Sequence, residues 1–163
     1  MNTDKETITL ISSELNHVKI NLKAAVRSNL IKYLINDFPE AGDINLNGIK
    51  YEILLKIKEY LEHYEILEPK EITQPLPKKD LRECIDSWDY EYINLENETI
   101  FEIMMAANFM DIQPLLELTC AKIASEIKGK NEEEIRNLFK MEKDCDEDED
   151  SIENDVTEYN IDF

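Results

Sequence analysis

The sequence contains few of the residues from which catalytic and metal sites are built. Only three glycines and two histidines occur in 163 residues, and there is no Gly-rich phosphate loop, HExxH motif or GxSxG motif. His17 and His63 lie in unrelated segments, whereas a metal site needs about three or four convergent ligands. The acidic C-terminal segment has no glycine, which excludes an EF-hand calcium loop. We therefore expect a protein that is not an enzyme and has no cofactor or bound metal.

Long apolar runs and closely spaced cysteines are also missing. No run approaches the roughly 20 apolar residues that span a bilayer, and residues 1–6 are polar and acidic, unlike a signal peptide. Cys84, Cys120 and Cys145 are far apart and odd in number, which fits free thiols in a reducing compartment. We expect a soluble intracellular protein, located in the cytoplasm and the nucleus.

Positive charge is scarce as well. The chain has 18 Lys and Arg against 37 Asp and Glu, a net charge of -19. A surface of this sign repels phosphate backbones and anionic lipids. We therefore expect protein partners, and neither nucleic acid nor a membrane.

The charge is concentrated in a C-terminal tail over residues 140–163, which contains eleven Asp and Glu against two Lys. Acidic segments of this kind are usually disordered. However, Ile152, Val156 and Tyr159 recur at the spacing of an apolar stripe on a helix. Both interpretations stay open, and a helix that forms on a partner is compatible with both observations.

The N-terminal part predicts a small sheet with helices. Alternating apolar and polar residues predict a two-stranded hairpin over Thr7–Ile11 and His17–Asn21. Helical spacing of apolar residues predicts one helix over Leu22–Asp37 and an amphipathic helix over Lys50–Tyr64. Between these helices, Asp43–Leu46 is a candidate third strand. Helix thus follows strand twice.

A linker and a buried helix follow. Residues 65–85 contain Pro69, Pro75 and Pro77, which exclude a helix interior or a central strand, so we expect an exposed linker. Residues Thr99–Asn108 are apolar on nearly all sides, and we expect this helix to be buried on most of its surface.

The next two helices have recognisable ends. Asp111 is a candidate N-cap with Pro114 in the first turn, and Gly129 follows the last periodic residue as a stop signal. Asn131 and Glu134 have the spacing of a capping box at the start of a further helix.

The helix between these ends has two apolar faces. Leu115 and Leu118 lie on one face, and the other carries Leu116, Cys120, Ile123 and Ile127. One interpretation places both faces in the core. The other leaves the second face for a partner, because little apolar chain follows that could cover it. In that case Ile123 and Ile127 are exposed in the isolated protein.

The stretch from Trp88 to Phe139 resembles a known family. The segments SWD, TIFEIMMAANFMDI, LLELTCAKIASEIKGK and EEEIRNLF are similar to the S-phase-kinase-associated adaptor proteins, which join F-box proteins to a cullin scaffold in SCF ubiquitin ligases. The resemblance implies an α/β (α+β), mostly helical fold. It comprises a BTB/POZ-like, cullin-binding domain over residues 1–127, followed over residues 128–163 by helices that clasp the F-box and by the acidic tail.

The resemblance also implies roles for individual residues. The cullin-facing residues would be Met105, Asn108 and Phe109. The F-box-binding residues would be Cys120, Ile123, Ile127, Ile135, Leu138, Phe139, Ile152 and Tyr159. The sequence departs from the family pattern at Pro114 (usually glycine), Phe109 (commonly tyrosine), Tyr159 (tryptophan) and Asn154 (arginine). The departures at Asn154 and Tyr159 leave open whether the last helix still clasps the F-box.

We therefore expect a non-catalytic adaptor that bridges F-box substrate receptors to a cullin. Two alternatives remain: an elongin-C-like adaptor that binds a BC-box helix, and an acidic chaperone of basic proteins such as histones. The C-terminal helices disfavour the first alternative. We also expect weak self-association of the free protein, as a homodimer, through the uncovered apolar stripe.

Overall fold

The computed structural model describes residues 7–39, 42–73 and 80–138. The chain divides into two compact units, residues 1–130 and residues 131–163. The described part of the first unit combines a small sheet with helices, which confirms the expected fold class. The domain boundary that we expected at residue 127 stays a prediction.

The sheet has three strands: β1 (Thr7–Ile11), β2 (His17–Asn21) and β3 (Asp43–Asn45). Their order is β2-β1-β3, with β1 antiparallel to β2 and parallel to β3. The predicted hairpin is confirmed, and the third strand ends one residue earlier than expected. Every second residue of the sheet faces the core, and the buried members are Ile8, Leu10, Val18, Ile20 and Ile44.

Helices make up most of the remaining described chain. In the first unit they are α1 (Leu22–Ala25), α2 (Asn29–Asp37), α3 (Tyr51–His63), α4 (Ser87–Tyr92), α5 (Asn97–Phe109) and α6 (Gln113–Ile127). A single 3-10 turn, Leu81–Glu83, precedes α4. The second unit contains α7 (Glu132–Leu138). None of these helices has an apolar stretch long enough to cross a membrane.

The prediction of a single helix over Leu22–Asp37 is wrong. The helix is interrupted between α1 and α2, and Ser28 is the N-cap of α2. The Ser28 hydroxyl accepts a hydrogen bond from the amide of Ile31 and donates one to the carbonyl of Met110. Ser28 is fully buried. A serine bonded in this way serves as an N-cap better than as an interior helical residue.

The prediction that Asp111 is the N-cap of α6 is wrong. Asp111 is part of the turn that ends α5. Its φ is +50°, the left-handed region. The amide of Ile112 donates to the carbonyl of Ala107 at 2.9 Å, and that of Asp111 donates to Asn108 at 3.2 Å. These two bonds form a Schellman motif, in which glycine usually occupies the left-handed position. Asp is among the few other residues that tolerate this conformation.

The expected exposed linker over residues 65–85 is wrong at its C-terminal end. Leu81 and Ile85 are 5% and 6% exposed and belong to the core. The Asp80 carboxylate accepts a hydrogen bond from the amide of Arg82 and caps the 3-10 turn Leu81–Glu83. Ile66 and Leu67 at the other end are exposed, as expected.

Helix α4 was not predicted, and it packs through aromatic residues. Trp88 stacks on Tyr92 of its own helix and on His63 at the end of α3, with ring centroids 5.2 and 3.5 Å apart. The Tyr92 hydroxyl donates to the carbonyl of Lys56 at 2.9 Å. The spacing of Trp88 and Tyr92, four residues apart, was the sequence signal for this helix.

The predicted end of α6 and start of α7 are confirmed. Gly129 has a φ of +80°, and the amide of Lys130 donates to the carbonyl of Ile127 at 3.0 Å. In the second unit, the amide of Asn131 donates to the Glu134 carboxylate at 2.8 Å. The amide of Glu134 donates back to the Asn131 side chain at 2.9 Å. This reciprocal pair is a capping box.

Candidate protein-binding surfaces

Three exposed residues share one face of α5: Met105, Asn108 and Phe109, the α5 surface hereafter. Met105 and Phe109 are 63% and 54% exposed although both are large and apolar. Met105 lies three residues before Asn108 and four before Phe109, so its side chain neighbours both of the others on the helix surface. The structure therefore brings together the three residues that the family resemblance assigned to the cullin.

The rest of α5 is mostly covered, in partial agreement with the expected buried helix. Its buried residues are Ile100, Ile103, Ala106 and Ala107, and α3 and α6 pack against it. The expectation does not hold for Met105, and Phe109, one residue beyond the predicted range, is exposed as well. Apolar composition alone did not distinguish the covered sides of the helix from the uncovered one. An exposed pair of large apolar residues is a common feature of protein-binding sites.

Helix α6 has one face in the core and one that is less covered. Leu115 and Leu118 are 0% and 1% exposed. The opposite side, called the α6 stripe, consists of Leu116, Cys120, Ile123 and Ile127. Cys120 is exposed and the other three are half-buried. Of the two interpretations of this helix, the structure thus favours the one with two different faces.

The expectation that Ile123 and Ile127 are exposed in the isolated protein is wrong in degree. Both are half-buried, and Ile123 packs against the hydrophobic core. Burial depends on the neighbouring elements as well as on the helical face, and the core extends partly around this side of α6. Ile127, in the last position of α6, is the stripe residue furthest along the helix.

The α6 stripe contacts α5 through sulfur atoms. The Cys120 Sγ lies 3.9 Å from the Met104 Sδ. Met104 immediately precedes Met105, which belongs to the α5 surface. Polarizable sulfur groups adapt their packing to different neighbours.

The remaining predicted F-box residues lie in the second unit or outside the described residues. Ile135 and Leu138 of α7 are half-buried. Phe139, Ile152 and Tyr159, with Asn154, lie outside the described residues, so their predicted roles stay predictions.

Charged groups near these surfaces form ion pairs, including Lys122 with Glu126 on α6. Lys50 pairs with Glu102 of α5, and this contact raises the pKa of the Lys50 amine. In the described ranges, no group of three or more His, Cys, Asp or Glu side chains has the arrangement of a metal site. The described surfaces therefore offer apolar contact area with polar surroundings, the composition of a protein interface.

Comparisons with known proteins agree over both parts of the chain. The model of the Skp1 family tetramerisation domain matches residues 6–66, and that of the Skp1 family dimerisation domain matches residues 113–158. The S-phase kinase-associated protein 1 homolog of Tetrahymena thermophila is 41% identical over 145 residues, 88% of this chain and 87% of the relative.

Two further relatives come from a plant and a fungus. SKP1-like protein 11 of Arabidopsis thaliana is 36% identical, over 84% of this chain and 85% of its own. The E3 ubiquitin ligase complex SCF subunit sconC of Arthroderma benhamiae is also 36% identical, over 92% of this chain and 93% of its own. Each of these three alignments covers at least 84% of this chain and at least 85% of the relative.

Proposed function

Because this chain belongs to the Skp1 family, we propose that it is the adaptor subunit of an SCF-type ubiquitin ligase and bridges F-box substrate receptors to a cullin. The observation that carries this proposal is the near full-length similarity to a relative named as an SCF subunit. The two surfaces on α5 and α6 support it, since a bridging protein needs two binding sites. We also propose that the protein itself is non-catalytic.

The α5 surface is the proposed cullin site. Met105 and Phe109 are large, apolar and exposed, and burial of such side chains in an interface contributes about 1.5–3 kcal/mol each. Asn108, one turn after Met105, offers both a donor and an acceptor for orientation. Phe109 in place of the family's common tyrosine lacks the hydroxyl, so its contribution would be apolar only.

The α6 stripe is the proposed F-box site of the first unit, and we propose that Ile135 and Leu138 of α7 also contact the F-box. Half-buried aliphatic residues on one helical face suit an amphipathic partner helix, which inserts its own apolar side chains between them. The family model that matches residues 113–158 includes α6, α7 and chain beyond them. This extent disfavours the elongin-C-like alternative, because that relative ends before these helices.

Reconstitution tests the proposed bridging. The purified protein would be mixed with the N-terminal domain of a cullin and with an F-box protein, and complexes would be measured by size-exclusion chromatography with light scattering. We expect one complex that contains all three proteins. Binding of the two partners in competition with each other would contradict a bridging role.

Salt separates the adaptor from the alternative acidic chaperone. Binding of a basic protein by the acidic chain weakens as ionic strength rises, because salt screens exposed charges. Binding through apolar surfaces persists or strengthens in salts that favour burial. A histone that binds at low salt only, with no binding of the cullin or the F-box protein, would support the chaperone instead.

We further propose that the free protein self-associates weakly through the α6 stripe, and that it is located in the cytoplasm and the nucleus. The description of the matched C-terminal family model as a dimerisation domain supports the first point. Sedimentation analysis with and without an F-box peptide tests it, since the peptide should suppress the dimer. Fractionation of native cells tests the location.

A further inference from the structure

The turn after α5 is bonded to the start of α2. The amide of Leu30 donates to the carbonyl of Met110 at 3.3 Å, and the amide of Asn29 donates to the carbonyl of Asp111 at 3.2 Å. The buried Ser28 hydroxyl also donates to the Met110 carbonyl. The first turn of α2 thus supplies donors to both residues that follow Phe109.

One additional bond in this junction joins two exposed side chains. The Asn29 Nδ2 donates to the Asp111 Oδ2 at 3.1 Å, across 82 residues of sequence. Asp111 also has the φ of +50° at which glycine is usual. Glycine at this position would satisfy the backbone but could not accept the bond from Asn29. Aspartate satisfies both conditions, at the cost of the left-handed conformation.

We propose that Asn29 and Asp111 are positioning residues for cullin binding, which hold the last turn of α5 so that Asn108 and Phe109 present their side chains in one orientation. This inference rests on the proposed function. Phe109 and Asn108 are the last two residues of α5 before the Schellman turn, and Asn108 contributes its carbonyl to that turn. Any movement of the turn therefore rotates the residues of the α5 surface.

The Asn29–Asp111 bond restricts the direction of the turn after α5 in a way that the backbone bonds do not. The backbone donors of α2 fix the distance between the two elements, but they are compatible with small changes in the direction of the turn. The Asn29–Asp111 pair adds a contact at the outer edge of the junction, because both side chains are exposed. A contact further from the core restricts rotation more effectively, and pre-organised residues bind with a lower entropic cost.

Four substitutions test the inference. Asp111→Gly keeps the left-handed turn and removes the carboxylate, and Asn29→Ala removes the amide. Asp111→Asn keeps a side-chain oxygen that can accept from Asn29, and Asn is also tolerated at positive φ. Asn47→Ala, which removes an exposed asparagine in the turn after β3, is the matched control. For each variant, calorimetric titrations measure affinity for the N-terminal cullin domain and for an F-box protein, and a thermal melt measures Tm.

We expect Asp111→Gly and Asn29→Ala each to weaken cullin binding about three- to tenfold, because residues that are no longer pre-organised must be ordered on binding. F-box affinity and Tm should remain near those of the unchanged protein, Asp111→Asn should restore most of the cullin affinity, and Asn47→Ala should have no effect. The double variant Asn29→Ala with Asp111→Gly should have the same cullin affinity as the single variant that binds cullin less tightly, because both substitutions remove the same contact.

Different results overturn different conclusions. If the unchanged protein binds no cullin, the proposed function fails and this inference fails with it. If the unchanged protein binds but Asp111→Gly and Asn29→Ala bind equally well, the positioning role is wrong while the proposed function stands. A parallel loss of cullin affinity, F-box affinity and Tm would show a general structural role and would also overturn the inference.

Discussion

The hydroxyl of Tyr64 donates a hydrogen bond of 2.7 Å to the carboxylate of Asp89, and both residues are at most 5% exposed. The bond joins the end of α3 to the first turn of α4. Burial raises the pKa of Asp89 above its usual 3.8, and the hydrogen bond from Tyr64 partly opposes that rise. Ionisation of this carboxylate is therefore unfavourable in this position.

This position predicts a pH-dependent effect of Asp89→Asn. Because the pKa of Asp89 is higher in the folded state, its contribution to stability is fully present below about pH 3.8. That contribution is lost as the pH rises through the folded-state pKa. Asparagine keeps an oxygen for Tyr64 and carries no charge. The free energy of unfolding of the variant, relative to the unchanged protein, should therefore increase as the pH rises through this window.

Urea denaturation at a series of pH values measures this difference. Asp37→Asn is the matched control, because Asp37 is an exposed residue at the end of α2. A difference between Asp89→Asn and the unchanged protein that does not vary with pH would show that Asp89 has no raised pKa in the folded state.

The α5 surface predicts a selective loss of cullin binding. Changing Asn108 and Phe109 together to lysine places two charges in the centre of the proposed interface, where neither has a partner. We expect cullin binding to be lost, with F-box affinity and Tm retained because both residues are exposed. Binding titrations and a thermal melt measure these quantities. A large fall in Tm would instead indicate that Phe109 supports the fold.

The α6 stripe predicts different effects for two of its residues. Ile127→Ala should weaken F-box binding by about 1–3 kcal/mol and lower stability only slightly, since Ile127 is half-buried at the end of α6. Ile123→Ala should lower both, because Ile123 also packs against the core.

Leu118→Ala is the control for these variants. Leu118 is 1% exposed, so its truncation should cost about 2–5 kcal/mol of stability. Urea denaturation and F-box titration of all three variants compare the effects. If Ile127→Ala is as destabilising as Leu118→Ala and F-box affinity is unchanged, Ile127 is a core residue and the proposed F-box site is wrong.

The capping box of α7 predicts a local effect in the second unit. Asn131→Ala removes the side chain that accepts from the amide of Glu134, at a cost of about 0.5–2 kcal/mol to the helix. Hydrogen exchange should therefore become faster for the amide of Ile135, which donates to the carbonyl of Asn131. Asn137→Ala, at an exposed position near the C-terminal end of α7, should not accelerate it. Equal exchange in both variants would show that the cap does not stabilise α7.

Local patterns in the sequence were sufficient for several elements and for the family. The hairpin, α3, the capping box at Asn131 and the stop at Gly129 all depend on periodicity or caps within a few residues. The resemblance found in Trp88–Phe139 is confirmed by relatives that match nearly the whole chain. Side chains that alternate or repeat along one segment carry this information without reference to the rest of the molecule.

Tertiary structure decided the features that depend on contacts between distant segments. Ser28 interrupts the expected helix because it bonds to Met110, and Asp111 takes the left-handed turn of α5 in contact with Asn29, 82 residues away. An aspartate suits both an N-cap and a left-handed turn, so its own sequence neighbourhood left the choice open. The half-burial of Ile123 likewise depends on how far the core extends around α6. The sequence by itself determined the periodic elements and the family, whereas long-range hydrogen bonds and packing decided where helices end and which apolar faces remain uncovered.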